Sequence, residues 1–192
     1  MKICMSLSLA IALVAVLAAG STQAATVALV AEDGFGTSSF NTGLNWADGL
    51  APSAGNDYIT NDFRVRTPAD GGSYTFGGDS LTVNNTNGYS WGLMYKGTGN
   101  TGVITVDNLI LDGGQISHAN GTGDLFQLDG AITVNSPSEI YAKQGNIDVL
   151  ADVSGSGDLA ILATDDNGDA TQRIVTLYGA STLTGNIDVS GK

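Results

Sequence analysis

The side chains best placed by type to do chemistry are one serine, one histidine and one acidic loop. Ser80, in Gly78-Asp79-Ser80-Leu81, would need a histidine to take its proton and a carboxylate to orient that histidine. The chain's single histidine is His118, in Gln115-Ile116-Ser117-His118, with no Asp three residues before it. Ser80 is therefore expected to be inert, and His118 is expected at a turn or on the surface. The single cysteine, Cys4, falls in the leader described below, so a zinc centre has neither the thiolates nor the second imidazole it needs.

Asp165, Asn167 and Asp169 place oxygen ligands at alternate positions, as a calcium loop does. Ala170 stands where such a loop needs its turn glycine and Thr176 where it needs a bidentate glutamate, so a plain polar turn is expected. Trp46 and Trp91 are the candidates for stacking on sugars, with Tyr89 and Tyr95 beside the second; burial in the core is the commoner fate of such rings. Cleavage of a glycan requires clustered carboxylates with a cation nearby to stabilise charge. Within the repeat body the bases are Lys96, Lys143 and Arg173, short of the terminal Lys192, too scarce for such a centre. The expectation is no catalytic residue, no cofactor and no metal.

Positioning any of these groups falls to short strands. Residues 1–24 read as a secretory signal: Lys2, an apolar run from Leu7 to Ala19, then Thr22-Gln23-Ala24 before the cut. The run is too short to span a bilayer, so no membrane span is expected in the mature chain. The net charge is −12 with only seven basic residues, which excludes nucleic acid as a partner. There are 27 glycines. After the leader the longest stretch free of Gly and Pro is the twelve residues from Asn56 to Thr67, which leaves helices almost nowhere to sit. Runs rich in β-branched and aromatic residues lie between Gly/Asn/Asp turns, at 64–67, 73–76, 80–83, 103–106, 124–128, 131–134, 158–162 and 173–178.

Two families of repeats run through them. Leu81-Thr82-Val83, Ile104-Thr105-Val106 and Ile132-Thr133-Val134 are each followed by two small polar residues, at spacings of 23 and 28. Gly145-Asn146-Ile147-Asp148-Val149 recurs letter for letter as Gly185-Asn186-Ile187-Asp188-Val189. Imperfect periods in the twenties, with apolar-x-apolar strands and Asn/Asp corners, predict an all-β fold: a right-handed parallel β-helix, or β-solenoid. A β-sandwich is the competing architecture. Residues 25–72, poor in repeats, are expected to cap the coils of residues 73–192.

Val153-Ser154-Gly155-Ser156-Gly157-Asp158-Leu159-Ala160-Ile161, with the later 175–185 stretch from Val175-Thr176-Leu177 to Leu183-Thr184-Gly185, resembles the autotransporter-associated β-strand repeat of bacterial surface proteins. Trp46-Ala47-Asp48-Gly49, Gly55-Asn56-Asp57-Tyr58, Arg66-Thr67-Pro68 and Phe76-Gly77-Gly78-Asp79-Ser80-Leu81 are similar to N-terminal regions of the same proteins. The resemblance implies a passenger-like β-solenoid displayed outside the cell. The block around Ser80 is also similar to the nucleophile block of a family of serine esterases, but the Asp-x-x-His that those enzymes carry is missing.

The functional expectation is an exported, extracellular or cell-surface structural or adhesive protein without catalysis. A carbohydrate-binding β module is the alternative and a polysaccharide-degrading β-helix enzyme the third reading. Extracellular glycan or other surface proteins are the expected partners. The last residues re-enter a repeat without a cap, so further coils and edge-to-edge self-association are expected there.

Overall fold

The computed structural model describes residues 24–85, 92–119, 123–164 and 172–191. Among these the chain is all β, without a helix, and it winds as a solenoid of about five coils. The winding opens with β1 (Ala25–Ala28), followed by β2 (Asn56–Ile59) and β3 (Val65–Arg66). The next coil carries β4 (Tyr74–Thr75), β5 (Ser80–Asn84) and β6 (Leu93–Tyr95), and the one after it β7 (Val103–Asp112) and β8 (Gln115–His118). Then come β9 (Phe126–Ser136) with β10 (Ser138–Ala142), β11 (Ile147–Val149) with β12 (Asp152–Gly155) and β13 (Leu159–Ala163), and finally β14 (Val175–Leu177) with β15 (Ile187–Gly191).

These strands stack in three rows, all parallel. β4, the first half of β7, the first half of β9, β11 and β14 form the first row. β1, β2, β5, the second halves of β7 and β9, and β12 form the second. The third row is the six-stranded sheet from β3 through β6, β8, β10 and β13 to β15. Rows one and two belong to one sheet because β7 and β9 run through both, with a register irregularity after Val106 where they pass from one to the other.

Alternation within each strand sends every second side chain inward, and stacking turns those positions into columns. Val27, Tyr58, Leu81, Leu109, Ile132 and Val153 are successive partners in the second row, all buried. Val65, Leu93, Ile116, Ile140 and Ile161 do the same in the third. Each coil alone is too thin to hide these side chains; the next coil, about 4.8 Å away, hides them. Ile187 and Val189 on β15 continue the third row but are 44% and 70% exposed.

Asp and Asn at the corners join coil to coil. Asp79 Oδ1 accepts the Gly55 amide, Asn100 Oδ1 that of Leu125, Asn146 Oδ1 that of Ile174, Asp152 Oδ1 that of Ala180 and Asp158 Oδ1 that of Asn186. Part of the acidic composition is thus structural: a short carboxylate at a corner reaches a backbone donor that the strands leave unpaired. Gly130 (φ +111°) and Gly155 (φ +113°) sit where a Cβ would collide with the carbonyl oxygens of Val106 and Val134 in the coil before, so a side chain is excluded on both counts.

The repeats do not map onto the coils as their letters suggest. Leu81-Thr82-Val83 and Ile132-Thr133-Val134 share the second row, but what lies between them in register is Leu109-Ile110-Leu111; Ile104-Thr105-Val106 belongs to the first row. The verbatim pair is also split, Ile147–Val149 in row one and Ile187–Val189 in row three. Every row demands the same inward-outward-inward triplet, so the triplet cannot say which row it occupies.

The boundary at residue 72 is likewise not structural, because β1, β2 and β3 already belong to the stacked rows. The cap is the loop between β1 and β2. Its segment around Trp46 returns antiparallel to the chain just after β1, with Val30 and Ala47 donating to the carbonyls of Asn45 and Ala28, and so covers the outer edge of β1 at its C-terminal end. Under it Phe40, Trp46, Tyr58 and Phe76 pack edge to face at 4.8–6.3 Å between ring centroids.

Candidate functional site

The outward side of the third row carries a groove of about 550 Å³. Its floor is the outward column Arg66, Met94, Ser117 and Tyr141, successive partners in β3, β6, β8 and β10. Just beyond the strand ends, Lys96 and Lys143 extend the same side, and Arg64 and Phe35 come in from the N-terminal end. Of the chain's seven basic residues, Arg64, Arg66, Lys96 and Lys143 line this one groove. Residues 64 to 143 are far apart in sequence, and the stacking of four coils brings them to one surface.

The Arg66 end is built with care. The Asp33 carboxylate, fully buried, accepts the amides of Ser39 (2.8 Å) and Arg66 (2.8 Å), the Ser39 hydroxyl (2.7 Å) and the Asn45 amide group (2.9 Å). The Asp33 carbonyl accepts Nε and Nη2 of Arg64, which also pairs with Glu32 at 3.0 Å. Arg66 Nη1 donates to the Gly34 carbonyl, and its guanidinium lies 5.8 Å from the centroid of the Phe35 ring, which is itself 96% exposed. Arg66 is only 8% exposed and its Nε has no hydrogen-bond partner; Ser117, 3% exposed, has an equally unpartnered hydroxyl. Such groups cost stability wherever nothing fills the groove.

The electrostatics follow from this crowding. Burial, then the neighbouring positive charge of Arg64, lowers the pKa of Arg66, against the opposing pull of Asp33. Burial and the charges of Arg66 and Arg64 lower that of Lys96, whose Nζ donates to the Ala119 carbonyl. Glu139 on β10 is the acidic neighbour: burial raises its pKa against a 2.5 Å hydrogen bond from Gln115 Nε2.

His118 is not a surface residue. It faces inward from β8, fully buried, with its ring 5.2 Å from that of Tyr95, and its Nε2 donates to the Asp124 carbonyl, which fixes the neutral tautomer. Burial lowers its pKa to about 4; the bond to Asp124 resists this, and Lys96 and Arg173 add to it. The folded value lies below the ordinary one near 6.5, so the unfolded chain takes up the proton first as pH falls. Stability from this group is complete above about pH 6.5 and is lost as pH drops from there towards 4. Relative to His118→Gln, the wild-type unfolding free energy should fall by roughly 3 kcal/mol between pH 7 and 4 in urea titrations, and parallel pH profiles would refute the assignment.

The other sequence candidates fare differently. Trp46 is 2% exposed and donates through Nε1 to the Ser39 carbonyl, so it belongs to the cap and offers no ring to a sugar. Trp91, Tyr89 and the calcium candidates Asp165, Asn167 and Asp169 lie outside the described residues, as does the leader up to residue 23. Ser80 is buried on β5 and donates to Asp57 Oδ1 at 2.5 Å in the preceding coil, a coil-to-coil tie. Of the three bases of the repeat body, Lys96 and Lys143 meet in the groove, joined there by Arg64 and Arg66, and Arg173 does not line it. A count along the chain misses it; the signal was that residues 66, 94, 117 and 141 recur at one coil's spacing.

No protein-family model matches the chain, and neither curated proteins nor solved structures yield a match.

Proposed function

We propose that the chain is an exported, non-catalytic β-solenoid of the cell surface, a structural and adhesive scaffold that binds through the outer side of its third row. The supporting observation is where the groove lies. Inward columns of apolar side chains fill the interior, and the residues of β3, β6, β8 and β10 that face out, Arg66, Met94, Ser117 and Tyr141, are held on rigid strands. Sites on strands keep their geometry better than sites on loops. The acidic remainder of the surface keeps such a scaffold soluble.

A second reading, a carbohydrate-binding module, draws support from Phe35, a fully presented ring at the mouth of the groove, and from Tyr141 in its floor. Both readings are tested by incubating the purified protein with a panel of envelope and matrix polysaccharides, measuring co-sedimentation and new reducing ends together. Retention without reducing ends is expected. Reducing ends that grow with time and protein would replace the scaffold by an enzyme, and no retention on any polymer would remove adhesion to glycans.

The scaffold reading includes association between copies along β15, where Ile187 and Val189 are uncovered. A charge of −12 opposes it, and salt screens that repulsion. Sedimentation velocity should show larger species as concentration and salt rise, and Val189→Asp should suppress them. A monomer over a hundredfold range of concentration at both low and high salt would rule the contact out.

A further inference from the structure

We propose that the groove holds a carboxylate-bearing saccharide, a uronate unit of an acidic glycan, with Arg66 and Ser117 as the side chains that grip it. This rests on the reading of the third row as the binding surface and names its ligand. The first ground is unspent hydrogen bonding. Arg66 and Ser117 line the groove, and Arg66 Nε and Ser117 Oγ are buried without a partner. A buried donor of this kind is retained at a cost unless a ligand completes it. With Nη1 turned to the Gly34 carbonyl, the edge of the guanidinium that carries Nε is left unspent, and that edge is the one carboxylates engage with paired hydrogen bonds.

The second ground is charge. Four of seven basic residues stand here in a chain of net charge −12, so an anion is repelled by most of the molecule and drawn to this surface. Among the described residues, the carboxylates nearby are three against these four bases: Glu32 is paired with Arg64, Asp33 is tied to four donors, and Glu139 accepts from Gln115. A polymer of high charge density such as nucleic acid would meet the acidic surface on either side. The third ground is shape. Phe35, Met94 and Tyr141 give the groove apolar walls, suited to the C–H faces of a sugar ring, and Gln144 and Ser117 place polar groups beside them. Arg66 and Ser117 are two coils apart, about 10 Å along the stack, a span that linked sugar units cover.

The test is titration calorimetry of the purified protein with trigalacturonate, with its carboxyl-reduced neutral counterpart and with inorganic phosphate. Trigalacturonate should bind at least tenfold more tightly than either, and weaken as salt rises. Arg66→Met should reduce affinity tenfold or more and Lys143→Met a few-fold. Ser117→Ala is the decisive variant, because removing an unpartnered buried hydroxyl should hold or raise the thermal stability of the unliganded protein while lowering affinity several-fold. Equal binding of the neutral trisaccharide would overturn the uronate while leaving the binding face intact. Phosphate binding as tight as trigalacturonate would reduce the groove to a simple anion site. Absence of binding by all three ligands, with polysaccharide retained in the sedimentation assay, would place the binding face elsewhere.

Discussion

Trp46→Ala is expected to lower the unfolding free energy by about 4 kcal/mol, within the range for deleting a buried aromatic side chain. The ring is 2% exposed, lies edge to face against Tyr58 at 4.8 Å and against Phe76 at 6.3 Å, and anchors the cap through its bond to the Ser39 carbonyl. Its removal costs the transfer energy of the indole, leaves a cavity among Tyr58 and Phe76, and frees the segment that covers the edge of β1. Trp46→Phe keeps part of the packing but loses the second ring of the indole with its N–H, so it should cost about 2 kcal/mol, less than alanine. Urea denaturation of the three proteins checks this, and an alanine variant within 1 kcal/mol of wild type would mean that the cap contributes little to holding the coils.

Asp33→Ala should cost about as much, roughly 4 kcal/mol, for a different reason. Its buried carboxylate satisfies four donors, the amides of Ser39 and Arg66, the Ser39 hydroxyl and the Asn45 side chain. Removing one acceptor group leaves all four unpaired, three of them buried where water has little access and the half-buried Asn45 less so. Asp33→Asn retains one acceptor oxygen and should fall between. Because Asp33 ties the 30s loop to the first residues of the third row, the alanine variant should also lose trigalacturonate affinity under conditions where it remains folded. Loss of stability below 1 kcal/mol in denaturant titration would refute the hub, and unchanged affinity in a folded variant would separate the loop from the groove.

Much of the architecture was legible because a solenoid writes its rules locally. The runs at 73–76, 80–83, 103–106 and 131–134 all contain or fall within observed strands, since an apolar-Thr-apolar triplet bounded by Gly or Asn satisfies the period of two and the corner at once. The third row was harder to read. β8 (Gln-Ile-Ser-His) and β10 (Ser-Glu-Ile-Tyr-Ala) went unmarked because their outward residues are polar, and those are the residues that form or border the groove. A strand that hosts a polar site sacrifices the propensity signal by which strands are found.

The sequence by itself determined the secondary structure class, the parallel stacking and the corner role of Asp and Asn, because these depend on residue types and spacings within one coil. Only the tertiary structure decided which coil lies over which and hence which residues become neighbours. Coils here differ in length, so the triplets that begin at Ile104 and Leu81 share a pattern but not a row, and identical pentapeptides occupy different sheets. Arg64, Arg66, Lys96 and Lys143, scattered over some eighty residues of an acidic chain, converge on one groove because the stacking interval of about 4.8 Å replaces a contour of more than twenty residues.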